Sequence, residues 1–161
     1  MNSGLVMYDE EYRQIGAICD RLTREASAKV VFLVDKNGQL IASSGQEHDL
    51  DTTSLASLTA GNVAAMGGLA KLIGEKEFPT QFHEGEHESL HMSIVAGRVV
   101  LVVIFDAKSS LGLVRLRVKK AAEELARVFD ALGSKQSTAE PQSPFAEITD
   151  DDIDNLFGDP A

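Results

Sequence analysis

The residues best able to do chemistry are three histidines spaced four apart, His83, His87 and His91. The stretch from His83 to His87 matches H-E-x-x-H, with which zinc proteases place two histidine ligands and a glutamate base on one helix face. Here Gly85 lies in the middle and the flanks are typical of strands, so the pattern lacks its helix. On one strand the three histidines would share a face at steps of about 13 Å, too far for one ion, although a bent hairpin could bring two together. We interpret them as solvated hairpin residues and leave adventitious metal binding open.

Other catalytic patterns are absent from the sequence. Neither G-x-x-x-x-G-K-[ST] nor G-x-G-x-x-G can be written through the glycines of the long uncharged segment in the middle of the chain. No Ser-His-Asp or Cys-His set stands out by spacing, and the candidate carboxylates fall mostly on charged helix faces. The lone cysteine, Cys19, lies on an apolar stripe, which is typical of a core residue. We predict no active site, no cofactor and no metal site.

Composition indicates one globular domain with an acidic extension. The 161 residues are 43% hydrophobic and 25% charged, with a net charge of −10. Seven acids and no base follow Lys135, so no excess of Lys and Arg supports nucleic-acid binding. One cysteine excludes an intramolecular disulfide, and neither a signal peptide nor the about 20 apolar residues of a membrane span can be found. We expect a soluble cytoplasmic protein.

Apolar periodicity predicts the elements that flank this middle segment. Residues 8–26 carry apolar side chains every three or four positions, as in an amphipathic helix. Two β-branched runs flank Asn37-Gly38, a dipeptide that favours a hairpin turn. Three more strands follow Phe78-Pro79, and the run from Val99 to Phe105 is typical of a central strand covered on both faces. A last helix should begin at Ser109 or Ser110 and end at Gly133.

These elements predict an α/β (α+β) fold in the order α-β-β-α-β-β-β-α. The connections between strands are short, so the five-stranded sheet should be mostly antiparallel. The unbroken apolar strand needs cover on both faces. We therefore expect the sheet to be sandwiched between the middle helix on one face and the first and last helices on the other.

The middle helix, from Asp51 to Gly74, carries no charged residue between Thr52 and Ala70. One arc collects large apolar residues and is expected to face the core: Leu55, Leu58, Met66, Leu69, Leu72 and Ile73. The opposite arc carries small residues where a solvated helix would carry Lys and Glu: Ser57, Ala60, Gly61, Ala64 and Gly68. Because each helical glycine costs roughly 1 kcal/mol, we favour a face that another backbone approaches closely. The alternative is a helix buried between layers of its own domain.

Residues 134–161 are predicted to form an acidic, flexible tail after a domain spanning residues 1–133. Within residues 145–157, Thr149 and the acids after it can begin a short helix. The apolar residues of this segment are Phe145, Ile148, Ile153, Leu156 and Phe157. We predict that it docks on a partner; the alternative is a solubilising tail. A cluster of basic residues lies near the start of the last helix: Arg115, Arg117, Lys119 and Lys120. It is either a solvated helix face or a binding site for an acidic surface, which could be this tail.

The sequence VVFLVDKNGQLIASSG, followed by DTTSLASLTAGNVAAMGGLAKLIGE and QFHEG, resembles the Roadblock/LC7 domain over residues 7–133. The tail sequence SPFAEITDDDIDNLF is similar to that of bacterial members that regulate small Ras-like GTPases in cell polarity and gliding motility. The resemblance implies a homodimer whose third strands pair across the two-fold axis, and two protomers that bind one MglA-like GTPase. The implied partner-binding residues are those of the small arc with one lysine added: Ser57, Ala60, Gly61, Ala64, Gly68 and Lys71.

The resemblance also implies an activity. Many Ras-type activators supply an arginine in trans, whereas this group is understood to reshape the switch loops of the GTPase without one. The tail would bind the GTPase at a separate surface and assist nucleotide exchange. The protein would be cytoplasmic, with concentration at a cell pole left open. The alternative is an adaptor that holds a GTPase or polarity protein without stimulating hydrolysis.

Overall fold

The computed structural model describes residues 9–139, with side chains for residues 9–134. Its elements are α1 (Asp9–Glu25), β1 (Val30–Asp35), β2 (Leu40–Gly45), α2 (Thr52–Leu72), β3 (Thr80–Glu84), β4 (Ser89–Val95), β5 (Val99–Phe105) and α3 (Leu111–Ala139). This order is the predicted one, so the fold class is confirmed. The helix α3 continues to Ala139, and the predicted end at Gly133 is therefore wrong.

The five strands form one sheet in the order β2-β1-β5-β4-β3, and every neighbouring pair is antiparallel. The apolar strand β5 lies at the centre and is buried along its whole length. One core joins α1 and α3 to one face of the sheet, and a smaller core joins α2 to the other face. The predicted layers of one helix, the sheet and two helices are therefore confirmed.

Local hydrogen bonds explain where the turns and helices begin. In the first hairpin, the Asp35 carboxylate accepts bonds from the backbone amides of Asn37 (2.9 Å) and Gln39 (3.0 Å), and Gly38 adopts a φ of +91°. That φ lies in the left-handed region, where glycine is the favoured residue. At the start of α2, the Asp51 carboxylate accepts a hydrogen bond from the Ser54 amide at 3.1 Å and so caps the helix.

Candidate partner-binding face

The helix α2 contacts the sheet through a narrow stripe of small side chains. Ala56, Thr59 and Ala70 are buried, and Leu55 and Val63 pack partly buried beside them. The bulky groups of this core come from the strands: Val30, Phe32, Val34, Met92, Val100, Val102 and Ile104. Small residues at the contact let the helix lie close to a sheet face whose strands already supply the volume.

The expectation that the large apolar arc faces the core is therefore wrong for most of its members. Leu58, Leu69, Leu72 and Ile73 are 72%, 46%, 84% and 64% exposed. Only Leu55 and Met66 of that arc are partly buried. The physical reason is that this helix has no charged residue between Thr52 and Ala70, so a stripe of large residues and a stripe of small residues both repeat at helical spacing. The bulky strand side chains fill most of the space beneath the helix and leave room only for the stripe of small residues.

The small arc lies on the outer surface of α2. Ser57, Gly61, Ala64 and Gly68 are exposed, and Ala60 is half-buried. A Cβ atom added to Gly61 or Gly68 would meet no atom within 4 Å outside the backbone of its own helix turn, so packing among the described residues does not require glycine there. The alternative of a helix buried between two layers of its own domain is therefore wrong for the described chain.

A groove of about 390 Å³ borders the small arc, between α2 and the segment that leads into β3. Its floor includes Ala64, Gly67 and Gly68, and its rim carries Lys71 and Lys76. Lys36 and Glu77 also line this groove and form an ion pair, with Lys36 Nζ 4.0 Å from Glu77 Oε2. The face therefore combines an uncharged centre with cations at one edge.

The other side of α2 faces the edge strand β3. Asn62 Nδ2 donates to Gln81 Oε1 on β3 at 2.9 Å and lies 3.4 Å from the Met92 sulfur. At about 100° per residue, Leu69 and Leu58 lie about 20° and 40° from Asn62 around the helix axis. Both leucines are exposed to solvent next to the side of the helix that contacts β3. Exposed leucines and an edge strand thus occupy the same side of the molecule. This exposed apolar surface was not predicted from the sequence, although the lack of charge between Thr52 and Ala70 was a signal of it.

Comparison with known proteins places this geometry in a family. The Roadblock/LC7 domain model matches residues 14–105, more than half of the chain. The chain belongs to the Roadblock/LC7 family. A solved structure of Myxococcus xanthus MglB is 73% identical, with a TM-score of 0.76 over 80% of this chain and 96% of that one.

Two further solved structures are similar over most of this Roadblock/LC7 chain. The gliding protein MglB of Thermus thermophilus is 33% identical, with a TM-score of 0.76 over 81% of this chain and 99% of that chain. An MglB described with a tetrameric arrangement is 34% identical, with a TM-score of 0.76 over 82% of this chain and 99% of that chain. The protein is therefore an MglB-like member of the Roadblock/LC7 family.

The histidines of this Roadblock domain lie on the β3–β4 hairpin, as predicted, but the prediction that they are solvated is wrong for His91, which is only 2% exposed. They also do not share one face of the sheet. His83 lies on β3 opposite Leu90, whereas His91 lies on β4 opposite Phe82. Since neighbouring residues of a strand point to opposite faces, this register puts His83 and His91 on opposite sides of the sheet. His87 is exposed in the turn between them. Among the residues with described side chains, no three His, Cys, Asp or Glu side chains are grouped so that they could hold a metal ion.

Cys19 lies in the core between the helices and the sheet, as predicted. Burial, with a smaller effect from the Asp20 carboxylate, raises the pKa of its thiol to about 12. A thiol with that pKa is almost never ionised at neutral pH, so Cys19 is not a nucleophile.

The remaining sequence-predicted residues divide between α3 and the tail. In the basic cluster, Arg117 pairs with Glu25 at 3.6 Å, while Arg115, Lys119 and Lys120 are exposed. The predicted docking residues lie outside the described residues: Phe145, Ile148, Ile153, Leu156 and Phe157. No helix of the described part of the chain is both long and apolar enough to cross a membrane.

Proposed function

We propose that this protein is a GTPase-activating regulator of a small, Ras-like, MglA-like GTPase in bacterial cell polarity and gliding motility. The exposed, uncharged small arc of α2 carries the proposal, because it offers a surface that a partner's backbone can approach closely. The similarity to MglB proteins, one of them described as a gliding protein, supports the choice of partner. The binding residues we assign are Ser57, Ala60, Gly61, Ala64, Gly68 and Lys71.

The regulator acts as a homodimer in this proposal. Among the described strands, β3 is an edge of the sheet, and its outer side could pair with a second copy. Exposed leucines of α2 lie on the same side, so pairing of two β3 strands would bring the two α2 helices together. The two small arcs would then form one surface for a single GTPase. A tetrameric arrangement described for a similar MglB supports self-association in this group.

Activation would proceed without an arginine finger. The arginines of the chain lie on α1, on α3 or in the turn between β4 and β5, and none lies on α2 or beside it: Arg13, Arg21, Arg24, Arg98, Arg115, Arg117 and Arg127. The two helices lie on the opposite face of the sheet from α2. We therefore propose that contact with the α2 surface reshapes the switch loops of the GTPase, so that its own residues complete the catalytic site. The tail would aid nucleotide exchange from a separate surface.

The test is GTP turnover by the cognate small GTPase, with this protein at catalytic and at stoichiometric ratios. Ala64→Arg should abolish both binding and acceleration while leaving the dimer folded, because a long charged side chain cannot fit where backbones approach. Ala131→Arg, on the exposed side of α3, is the matched control and should act like the unchanged protein. Normal activity of Ala64→Arg would refute the assigned face. Binding without acceleration by the unchanged protein would make it an adaptor.

A further inference from the structure

A second groove, of about 560 Å³, lies on the opposite face of the sheet from α2, between α3 and the strands β3 and β4. Its apolar lining includes Val95 on β4 and Val118, Ala122 and Ala126 on α3. The lining residues on α3 extend from Arg115 to Ala126, about three helical turns, so the groove is long enough to hold an extended or helical peptide segment. None of these residues belongs to the surface proposed above for the GTPase.

Two buried polar side chains line this groove without hydrogen-bond partners. His91 and Ser93 on β4 are only 2% and 5% exposed, and neither His91 Nδ1 nor Ser93 Oγ has a bond within the described chain. Buried polar atoms are nearly always hydrogen-bonded in native proteins. These two unpaired atoms mark the β4 side of the groove as a place where polar packing within the described chain is incomplete.

The rim of the groove on the α3 side is basic. Arg115 and Lys119 line it one turn apart, and neither has an ion-pair partner among the residues with described side chains. Glu123 is the one acid among the lining residues. An occupant of this groove should therefore be acidic where it meets Arg115 and Lys119, and apolar where it meets the floor.

We propose that the acidic tail of this chain, residues 140–161, docks into its own α3 groove. The tail combines the two properties that the groove requires: Asp150, Asp151, Asp152 and Asp154 supply negative charge, and Ile153, Leu156 and Phe157 supply apolar side chains. The acids face Arg115 and Lys119, and the apolar residues cover the floor.

The length of the tail fits this placement. Along α3, at about 1.5 Å per residue, Lys119 lies about 30 Å and Arg115 about 36 Å before the last helical residue, Ala139. Running back along the helix, the chain from Ala139 can extend about 36 Å to Asp150 and about 50 Å to Asp154. The acids can therefore reach both cations, while Phe145 reaches only the level of Ala126.

A tryptophan placed in the tail tests the docking in the full-length protein. The natural chain has no tryptophan, so Phe157→Trp gives a single reporter. Docking predicts a blue-shifted emission and several-fold weaker quenching by acrylamide than in denaturant. The double change Arg115→Glu and Lys119→Glu should reverse both effects. The control pair, Lys120→Glu and Arg127→Glu, changes the charge of α3 equally outside the groove and should leave them unchanged.

Carbodiimide cross-linking locates the tail independently of fluorescence. Links from the tail carboxylates should form with Lys119 in clear preference to its neighbour Lys120, which does not line the groove. A mixture of isotopically light and heavy protein distinguishes links within one chain from links between copies. Links spread evenly over the surface lysines, links formed only between copies, or a tryptophan as exposed as in denaturant would each overturn the proposal. No GTPase is needed, so the outcome is independent of the function proposed above.

Discussion

Replacing Leu58 with serine should raise the dissociation constant of the proposed homodimer. The size of the increase can be calculated from the fraction of Leu58 that is exposed in one protomer. Leu58 is 72% exposed in the protomer, so nearly three-quarters of its side chain remains to be buried by a second copy. Full burial of a leucine is worth about 1.5–3 kcal/mol, so this share contributes about 1–2 kcal/mol per protomer. A two-fold interface contains the residue twice. The dimer dissociation constant should therefore rise about 30- to 700-fold, at tenfold for each about 1.4 kcal/mol.

Sedimentation equilibrium over a dilution series measures this change. Leu116→Ser is the matched control, because Leu116 is 63% exposed but lies on α3, on the other face of the sheet. The control should leave the dissociation constant unchanged, and circular dichroism should confirm that both variants fold. Equal effects of the two substitutions, or no effect of Leu58→Ser, would refute the reasoning that the α2 leucines are covered by a second copy.

Three further predictions concern single residues. Gly38→Ala should lower the free energy of unfolding by about 1 kcal/mol, because Gly38 has a φ of +91°, which alanine adopts at a cost. Gly16→Ala should raise the free energy of unfolding by a similar amount, because Gly16 lies within α1 with open space at its Cβ position. Denaturant titration of the two variants measures both changes. Burial, and then the Arg115 guanidinium, lower the pKa of His91 below 6.5, so the unfolded chain takes up a proton first as the pH falls. The stability that the neutral ring contributes is present above pH 6.5 and is lost as the pH falls below it. His91→Gln should reduce this loss of stability below pH 6.5, and an equal loss in both proteins would contradict the assignment. Because burial raises the pKa of Cys19 from 9.0 to about 12, iodoacetamide at pH 8 should label the folded protein about a thousandfold more slowly than the unfolded one; fast labelling would place the thiol outside the core.

The strands and their order along the chain could be predicted because their signals are local. An unbroken apolar run gave β5, and Asn37-Gly38 between two β-branched runs gave the first hairpin. The relation between His83 and His91 depends instead on the register of β3 against β4. That register is fixed by where the hairpin turns, and the structure places the turn in the four-residue loop 85–88, which the residue pattern alone did not locate.

The orientation of α2 could not be predicted for a related reason. Two stripes on this helix, one through Ala56, Thr59 and Ala70 and one through Leu58, Leu69 and Leu72, repeat at helical spacing. Bulk alone favours the leucines for the core. The choice depends on the volume already supplied by the sheet, and the structure buries the small stripe.

The two uncovered surfaces of α2 break the ordinary rules for a solvated helix in different ways. Exposed leucines leave apolar area in water, and Gly61 and Gly68 weaken the helix without an intramolecular packing reason. The proposed function assigns one partner to each surface and would account for both violations: a second copy would cover the leucines, and the GTPase would approach the small residues. Because the surfaces are adjacent on one helix, dimerisation would place two small arcs side by side. A GTPase that touches both arcs would bind the dimer more tightly than the monomer and would in turn stabilise the dimer, since binding and association are thermodynamically linked.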